Sequence, residues 1–202
     1  MALFGGTFDP PHLGHLIIAE AAREALHLDR IEFLIAADPP HKRDIARSKF
    51  EDRCAMVELA IQGSPHFAMN LSEGLRPGPS FTVDTLQLRR TEASDQQLWF
   101  LMGADSLVDL PTWKAPSTII ELARLAVAAR PGTAIDTCGL ETRLPGVGMS
   151  TDIVATTLID ISSRDLRDRV RSGRSIAFRS PRQVVELIRD RRLYLGDSSP
   201  TS

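Results

Sequence analysis

The feature that most restricts the fold is an alternation, along the whole chain, of short apolar runs with helical patterns. Residues 2–4, 31–36, 67–70, 98–103, 125–129 and 153–161 are apolar or β-branched runs of strand length. Between several of them, over 13–26, 50–61, 82–90 and 116–122, the pattern is helical. Adjacent parallel strands need a long crossover connection, and a helix is its usual form. Strands separated by helices of this length therefore predict an α/β fold: a Rossmann-like, doubly wound parallel sheet with flanking helices.

Helix-start chemistry supports several of these assignments. Ser48 and Glu51 form a predicted capping box for the helix over 50–61. Ser163–Arg171 reads as a helix stopped by Gly173. Ser180, Pro181 and Gln183 then predict an N-cap, a first-position proline and a capping-box glutamine for a last helix reaching Arg192. Residues 162–194 are thus expected as a small C-terminal helical part of a single domain over 1–202.

Composition narrows the class. The 202 residues are 43% hydrophobic and 25% charged, enough for a full core and unlike disordered, collagen-like or disulfide-scaffold chains. With 24 basic against 26 acidic side chains the net charge is −2, which speaks against a nucleic-acid partner. The last 52 residues nevertheless hold ten arginines, no lysine and seven acids. Cys54 and Cys138 are too few for a disulfide framework and read as reduced thiols. No run approaches the roughly 18 apolar residues of a membrane span, and Gly5-Gly6 interrupts the first apolar run, so a signal peptide is not expected. The expectation is a soluble, cytoplasmic protein, with association into a homo-oligomer left open. The first strand starts almost at Met1, which raises the expectation of a few further residues upstream.

In an open parallel sheet, ligands bind beyond the carboxyl ends of the strands. The loops at those ends are 5–15, 37–47, 103–113 and 130–132, and the helix start at Ser162-Ser163 belongs with them. The first carries Gly5-Gly6-Thr7-Phe8-Asp9-Pro10-Pro11-His12-Leu13-Gly14-His15. Two glycines after a strand allow close approach of a ligand to the backbone. The helix that starts near Leu13 would turn its unpaired N–H groups and positive dipole end toward a phosphate. His12 and His15, three apart, share one face, and Gly14 leaves the space between them uncrowded. Histidines at a helix start also serve as surface caps. A zinc site would need further ligands, and no third cluster at metal spacing accompanies HxGH. The loop is neither a Walker A sequence nor a GxGxxG fingerprint.

A glycine turn followed by HxGH resembles the nucleotidyltransferase superfamily of α/β-phosphodiesterases. Its second hallmark, a serine-rich turn opening a helix with arginine beyond, is matched by Ile161-Ser162-Ser163-Arg164-Asp165-Leu166-Arg167. Within that superfamily the chain resembles the bacterial nicotinate-nucleotide adenylyltransferases. The resemblance rests on Pro39-Pro40-His41-Lys42, the stretch from Pro79 to Leu86, Gly103-Ala104-Asp105, Thr112-Trp113 and Arg130-Pro131-Gly132.

What the resemblance implies is an enzyme that joins ATP to nicotinate mononucleotide, with Mg²⁺ carried on the ATP phosphates and no metal held by the protein. His12, His15 and Arg167 are then the catalytic candidates. Gly5, Gly6, Thr7, Phe8, Gly103, Asp105, Ile161, Ser162 and Ser163 join them in binding ATP. Lys42, Thr82, Trp113 and Arg130 are the candidates for nicotinate mononucleotide, Thr82 through its backbone and Trp113 by stacking. Asp105 has a second, less favoured reading as the N-cap of a short helix. The alternatives are the same chemistry on nicotinamide mononucleotide or phosphopantetheine, and a non-catalytic adenylate-binding module. Three positions depart from the family pattern: Arg164 in place of Thr or Ser, Phe81 in place of Tyr, and Lys114 where an aromatic residue is common.

Overall fold

The computed structural model describes residues 1–37, 47–76, 78–92, 96–129, 136–157 and 159–195. Within them the elements run β1 (Ala2–Gly6), α1 (Leu13–Ala25), β2 (Ile31–Ile35), α2 (Phe50–Ile61), β3 (Phe67–Asn70), α3 (Thr82–Glu92), β4 (Trp99–Gly103), α4 (Ala104–Asp109), α5 (Pro116–Leu122), β5 (Arg124–Ala129), α6 (Thr137–Arg143), β6 (Thr151–Ala155), α7 (Ser163–Arg171) and α8 (Arg182–Asp190). A 3₁₀ turn, Leu110–Thr112, joins α4 toward α5.

All strand pairs are parallel, and their order is β3-β2-β1-β4-β5-β6. The chain winds outward from β1 to one edge, returns, and winds from β4 to the other. The order thus reverses between β1 and β4, the place where such sheets open a crevice for ligands.

Both faces of the sheet are buried, as an all-parallel sheet requires. Leu3, Leu34, Phe100, Met102, Leu125 and Val127 face one way and pack with Leu86 of α3, Leu107 of α4 and Ile119 of α5. Their sequence neighbours Phe4, Phe33, Ile35, Leu101 and Ala126 face the other way, with Ala19 and Ala22 of α1 and Val57 of α2. A third cluster joins α2 to the C-terminal helices through Met56, Ala60, Leu166, Val184 and Ile188. No helix among the described residues is long and apolar enough to cross a membrane.

Three local expectations are corrected. β6 runs over Thr151–Ala155, not 153–161. Its last residue pairs with Ala129, the last of β5, so the ladder stops where its partner stops. Asp152, which breaks the apolar pattern, is accommodated because Arg124 binds it with Nε at 2.7 Å on this edge strand. The two capping boxes do not form either. α2 has Lys49 at its N-cap without a side-chain cap, and the Ser48 N–H goes instead to Asp9 Oδ2 at 3.1 Å. α8 has Pro181 at its N-cap, because the Ser180 hydroxyl donates to the Pro11 carbonyl at 2.7 Å. In each case a long-range partner in the first loop replaces the local one.

Candidate active site

The two glycines that end β1 are required by packing. A Cβ on Gly5 would lie 2.7 Å from the ring of Phe100, and one on Gly6 would lie 2.7 Å from the ring of Phe8. Phe8 itself turns inward at φ 49° and its ring is buried against Phe4 and Phe33. Its side chain is therefore a core residue, and only its main chain belongs to the loop.

The segment 9–11 is held carbonyl by carbonyl. Arg167 Nη1 donates to the Asp9 carbonyl at 2.7 Å, Ser163 Oγ to that of Pro10 at 2.8 Å, and Ser180 Oγ to that of Pro11 at 2.7 Å. The Leu13 N–H then donates to the Arg179 carbonyl at 2.9 Å, so the C-terminal helices set where α1 begins. On the other side Arg53, which is 2% exposed, donates to the carbonyls of Thr7, Ala36, Ala37 and Ser48. One buried guanidinium thus ties the ends of β1 and β2 to the start of α2. Burial lowers its pKa, while the Asp9 carboxylate acts to raise it.

At the start of α1 the rings of His12 and His15 stack with centroids 3.6 Å apart. The His12 main-chain N–H donates to His15 Nδ1 at 3.1 Å. A neutral imidazole that accepts at Nδ1 carries its proton on Nε2, so the backbone sets His15 as an Nε2–H donor. His12 is 7% exposed, and burial pushes its pKa down to about 4. It is therefore neutral at physiological pH, which removes charge repulsion from the stack. Gly14 is what admits this arrangement, because a Cβ there would come within 3.0 Å of His12 Nδ1.

A cavity of about 370 Å³ opens beside this loop at the carboxyl ends of β1, β2 and β4. Gly5, Gly6 and Thr7 line it from β1, with Thr82 from the start of α3 and Trp113 from the turn before α5. Trp113 meets Phe100 edge-on at 6.2 Å. The Lys114 ammonium lies 4.5 Å from the Phe81 ring centroid and binds both carboxylate oxygens of Asp84, at 3.0 and 3.2 Å. Glu73 and Asp109 add carboxyl groups to the lining. Burial raises the pKa of Glu73, whose carboxylate accepts from the hydroxyls of Thr85 and Ser80.

The sequence-derived residues do not form one cluster. Gly5, Gly6, Thr7, Thr82 and Trp113 come together in the cavity. His12, His15, Ser163 and Arg167 gather around the 9–13 segment. Ser162 caps α7, accepting from the Asp165 N–H at 3.1 Å, and Ile161 packs against the third core cluster. Gly103 caps α4, and Asp105 stands exposed in its first turn. From α4 the cavity takes Ser106 and Asp109. Lys42 and Arg130 lie outside the described residues.

Sequence reasoning missed Asp9, Arg53, Glu73 and Tyr194. The signal for Arg53 was present: it stands at the head of the α2 stripe continued by Met56, Val57 and Ala60, where an apolar residue is expected.

Residues 3–169 match the cytidylyltransferase-like family. A protein of Thermomicrobium roseum named "Probable nicotinate-nucleotide adenylyltransferase" is 48% identical over 194 residues, covering 96% of this chain and 91% of its own. One of Thermus thermophilus with the same name is 42% identical, covering 96% and 98%. Among solved structures, the Plasmodium falciparum nicotinic acid mononucleotide adenylyltransferase complexed with NaAD shares the fold, with a TM-score of 0.78 at 17% identity over 96% of each chain. The two histidines on one helix start, the switch-point cavity and these relatives agree, and the chain belongs to the cytidylyltransferase-like family, among the nicotinate-nucleotide adenylyltransferases.

Proposed function

We infer that the protein transfers the adenylyl group of ATP to nicotinate mononucleotide, forming deamido-NAD and releasing pyrophosphate in NAD biosynthesis. The observation that carries this reading is the stacked His12–His15 pair, with His12 buried and His15 set as an Nε2–H donor, at a helix start beside a cavity of about 370 Å³. The high identity to nicotinate-nucleotide adenylyltransferases over nearly the whole chain supports it.

The reaction needs no general base. The second pKa of a phosphate monoester is near ~6, so the 5′-phosphate of the acceptor is largely dianionic at neutral pH. Its oxygen bonds to the α-phosphorus of ATP as the bond to the bridging oxygen breaks, and pyrophosphate leaves with the electron pair. There is no covalent enzyme intermediate. What the protein supplies is position and stabilisation of charge on the phosphates.

His15 Nε2–H is the donor to a phosphate oxygen, and His12 donates beside it while remaining neutral. The main chain of 5–8 and the starts of α1 and α7 receive the rest of the triphosphate, with Ser162 and Ser163 at the second start. Arg167 carries five N–H donors, so its bond to Asp9 leaves donors for phosphate. Gly103 at the carboxyl end of β4 and Asp105 in the first turn of α4 are the candidates for the ATP ribose. Thr82 and Trp113 receive the nicotinate ring.

Mg²⁺ enters with ATP as part of the substrate. Mg²⁺ usually keeps several waters and is bound through substrate phosphates with few protein carboxylates. We further propose that the reaction takes place in the cytoplasm.

Turnover of ATP with nicotinate mononucleotide, nicotinamide mononucleotide and phosphopantetheine, measured side by side, tests the reading. Preference for the first is expected. A preference for either of the others, or ATP binding with no pyrophosphate from any acceptor, would overturn it.

A further inference from the structure

We propose that the Lys114 side chain selects the acceptor, its ammonium pairing with the pyridine carboxylate that distinguishes nicotinate from nicotinamide mononucleotide. The inference rests on the acceptor reading given above and deepens it.

Among the described lining residues Lys114 is the one Lys or Arg, against the carboxyl groups of Glu73 and Asp109. Asp109 and Glu73, whose charged form burial disfavours, offer nothing cationic to a ring carboxylate, so Lys114 is its cationic partner in this lining, whereas a neutral carboxamide needs none. Lys114 follows Trp113 directly, and Trp113 and Thr82 line the same cavity.

The ammonium is also positioned. It sits over the Phe81 ring at 4.5 Å and against Asp84 at 3.0 Å, while Phe81 and Thr82 are consecutive residues of the lining. The ring attracts the cation through its face, and Asp84 anchors it from the first turn of α3. Two unlike attractions hold a flexible side chain at the rim. The Lys114 side chain is still 48% exposed, so it can exchange part of its hydration for a substrate carboxylate. The two departures from the family pattern, Phe81 and Lys114, are therefore one physical unit. Phe81 lacks the hydroxyl of a tyrosine and offers an apolar face to the cation.

The test is steady-state kinetics of wild type, K114A and K114R with nicotinate and nicotinamide mononucleotide, with kcat and KM resolved. Loss of a charge-assisted contact predicts that K114A lowers the ratio of kcat/KM, nicotinate over nicotinamide, by about tenfold. The fall should lie in the KM for nicotinate mononucleotide, and K114R should restore most of the ratio. An equal fall with both acceptors would place Lys114 on their common phosphate or ribose and overturn the proposal, as would an unchanged ratio. A wild-type enzyme without preference for nicotinate mononucleotide would instead remove the acceptor reading, and this proposal with it.

Discussion

The Tyr194 hydroxyl donates to Asp9 Oδ1 at 2.6 Å, across 185 positions of sequence. Asp9 is 3% exposed, and its other carboxylate oxygen accepts from the Ser48 N–H. Burial and the neighbouring carboxylate hold the Tyr194 phenol well above its usual pKa, so it remains a donor. The end of the chain thereby fastens the loop that presents the two histidines.

Tyr194→Phe should therefore lower the free energy of unfolding by about 2 kcal/mol, the size of a hydrogen bond to a buried charge. Urea melts measure it. A loss below about 0.5 kcal/mol would show that the Asp9 carboxylate does not depend on the phenol.

His15→Ala should reduce kcat by about 10²–10³, the usual cost of losing one preorganised donor to a transition-state oxyanion. KM for the mononucleotide should change little, because the cavity lining is untouched. An unaltered kcat would remove His15 from the chemistry.

The buried His12 makes stability depend on pH. Its pKa falls from 6.5 to about 4 on folding, so the unfolded chain binds more protons between those values. The contribution is fully present above pH 6.5 and is lost as pH falls toward 4, on the order of 3 kcal/mol in all. The difference in unfolding free energy between wild type and His12→Gln should shrink from pH 7.5 to pH 4.5. A pH-independent difference would contradict the burial argument.

Gly5 and Gly103 should respond oppositely to alanine. At Gly5 the new Cβ meets Phe100 at 2.7 Å, and overpacking costs roughly 1–3 kcal/mol. Adding Phe100→Leu should recover part of that loss. At Gly103 nothing lies within 4 Å, so Gly103→Ala should fold within about 1 kcal/mol of wild type. Its effect should appear as a raised KM for ATP, and an unchanged KM would move the ribose elsewhere.

Much of this architecture was legible in the chain. The helix over 116–122 and the strand over 67–70 were bounded correctly, because proline and short apolar runs mark them locally. The strand over 153–161 was misplaced because its start carries Asp152, whose charge is neutralised by Arg124 on the neighbouring strand. Ser48 and Ser180 were misread for a related reason: their local capping patterns lost to partners in the first loop. A short helix at Asp105 was one of two readings, and α4 forms there with Gly103 rather than Asp105 at its N-cap, while α6 was not anticipated, being too short to show an apolar period.

By itself the sequence determined the parallel α/β order, the loops at the strand ends, and the residue types that can meet phosphate. Only the tertiary structure decided how they are held: a neutral His12, a His15 donating from Nε2, and a loop strapped by Arg53, Ser163, Arg167 and Ser180. The physical reason lies in the acceptors. Each strap ends on a main-chain carbonyl, a group every residue carries, so no side-chain pattern marks where it will land until the chain has folded.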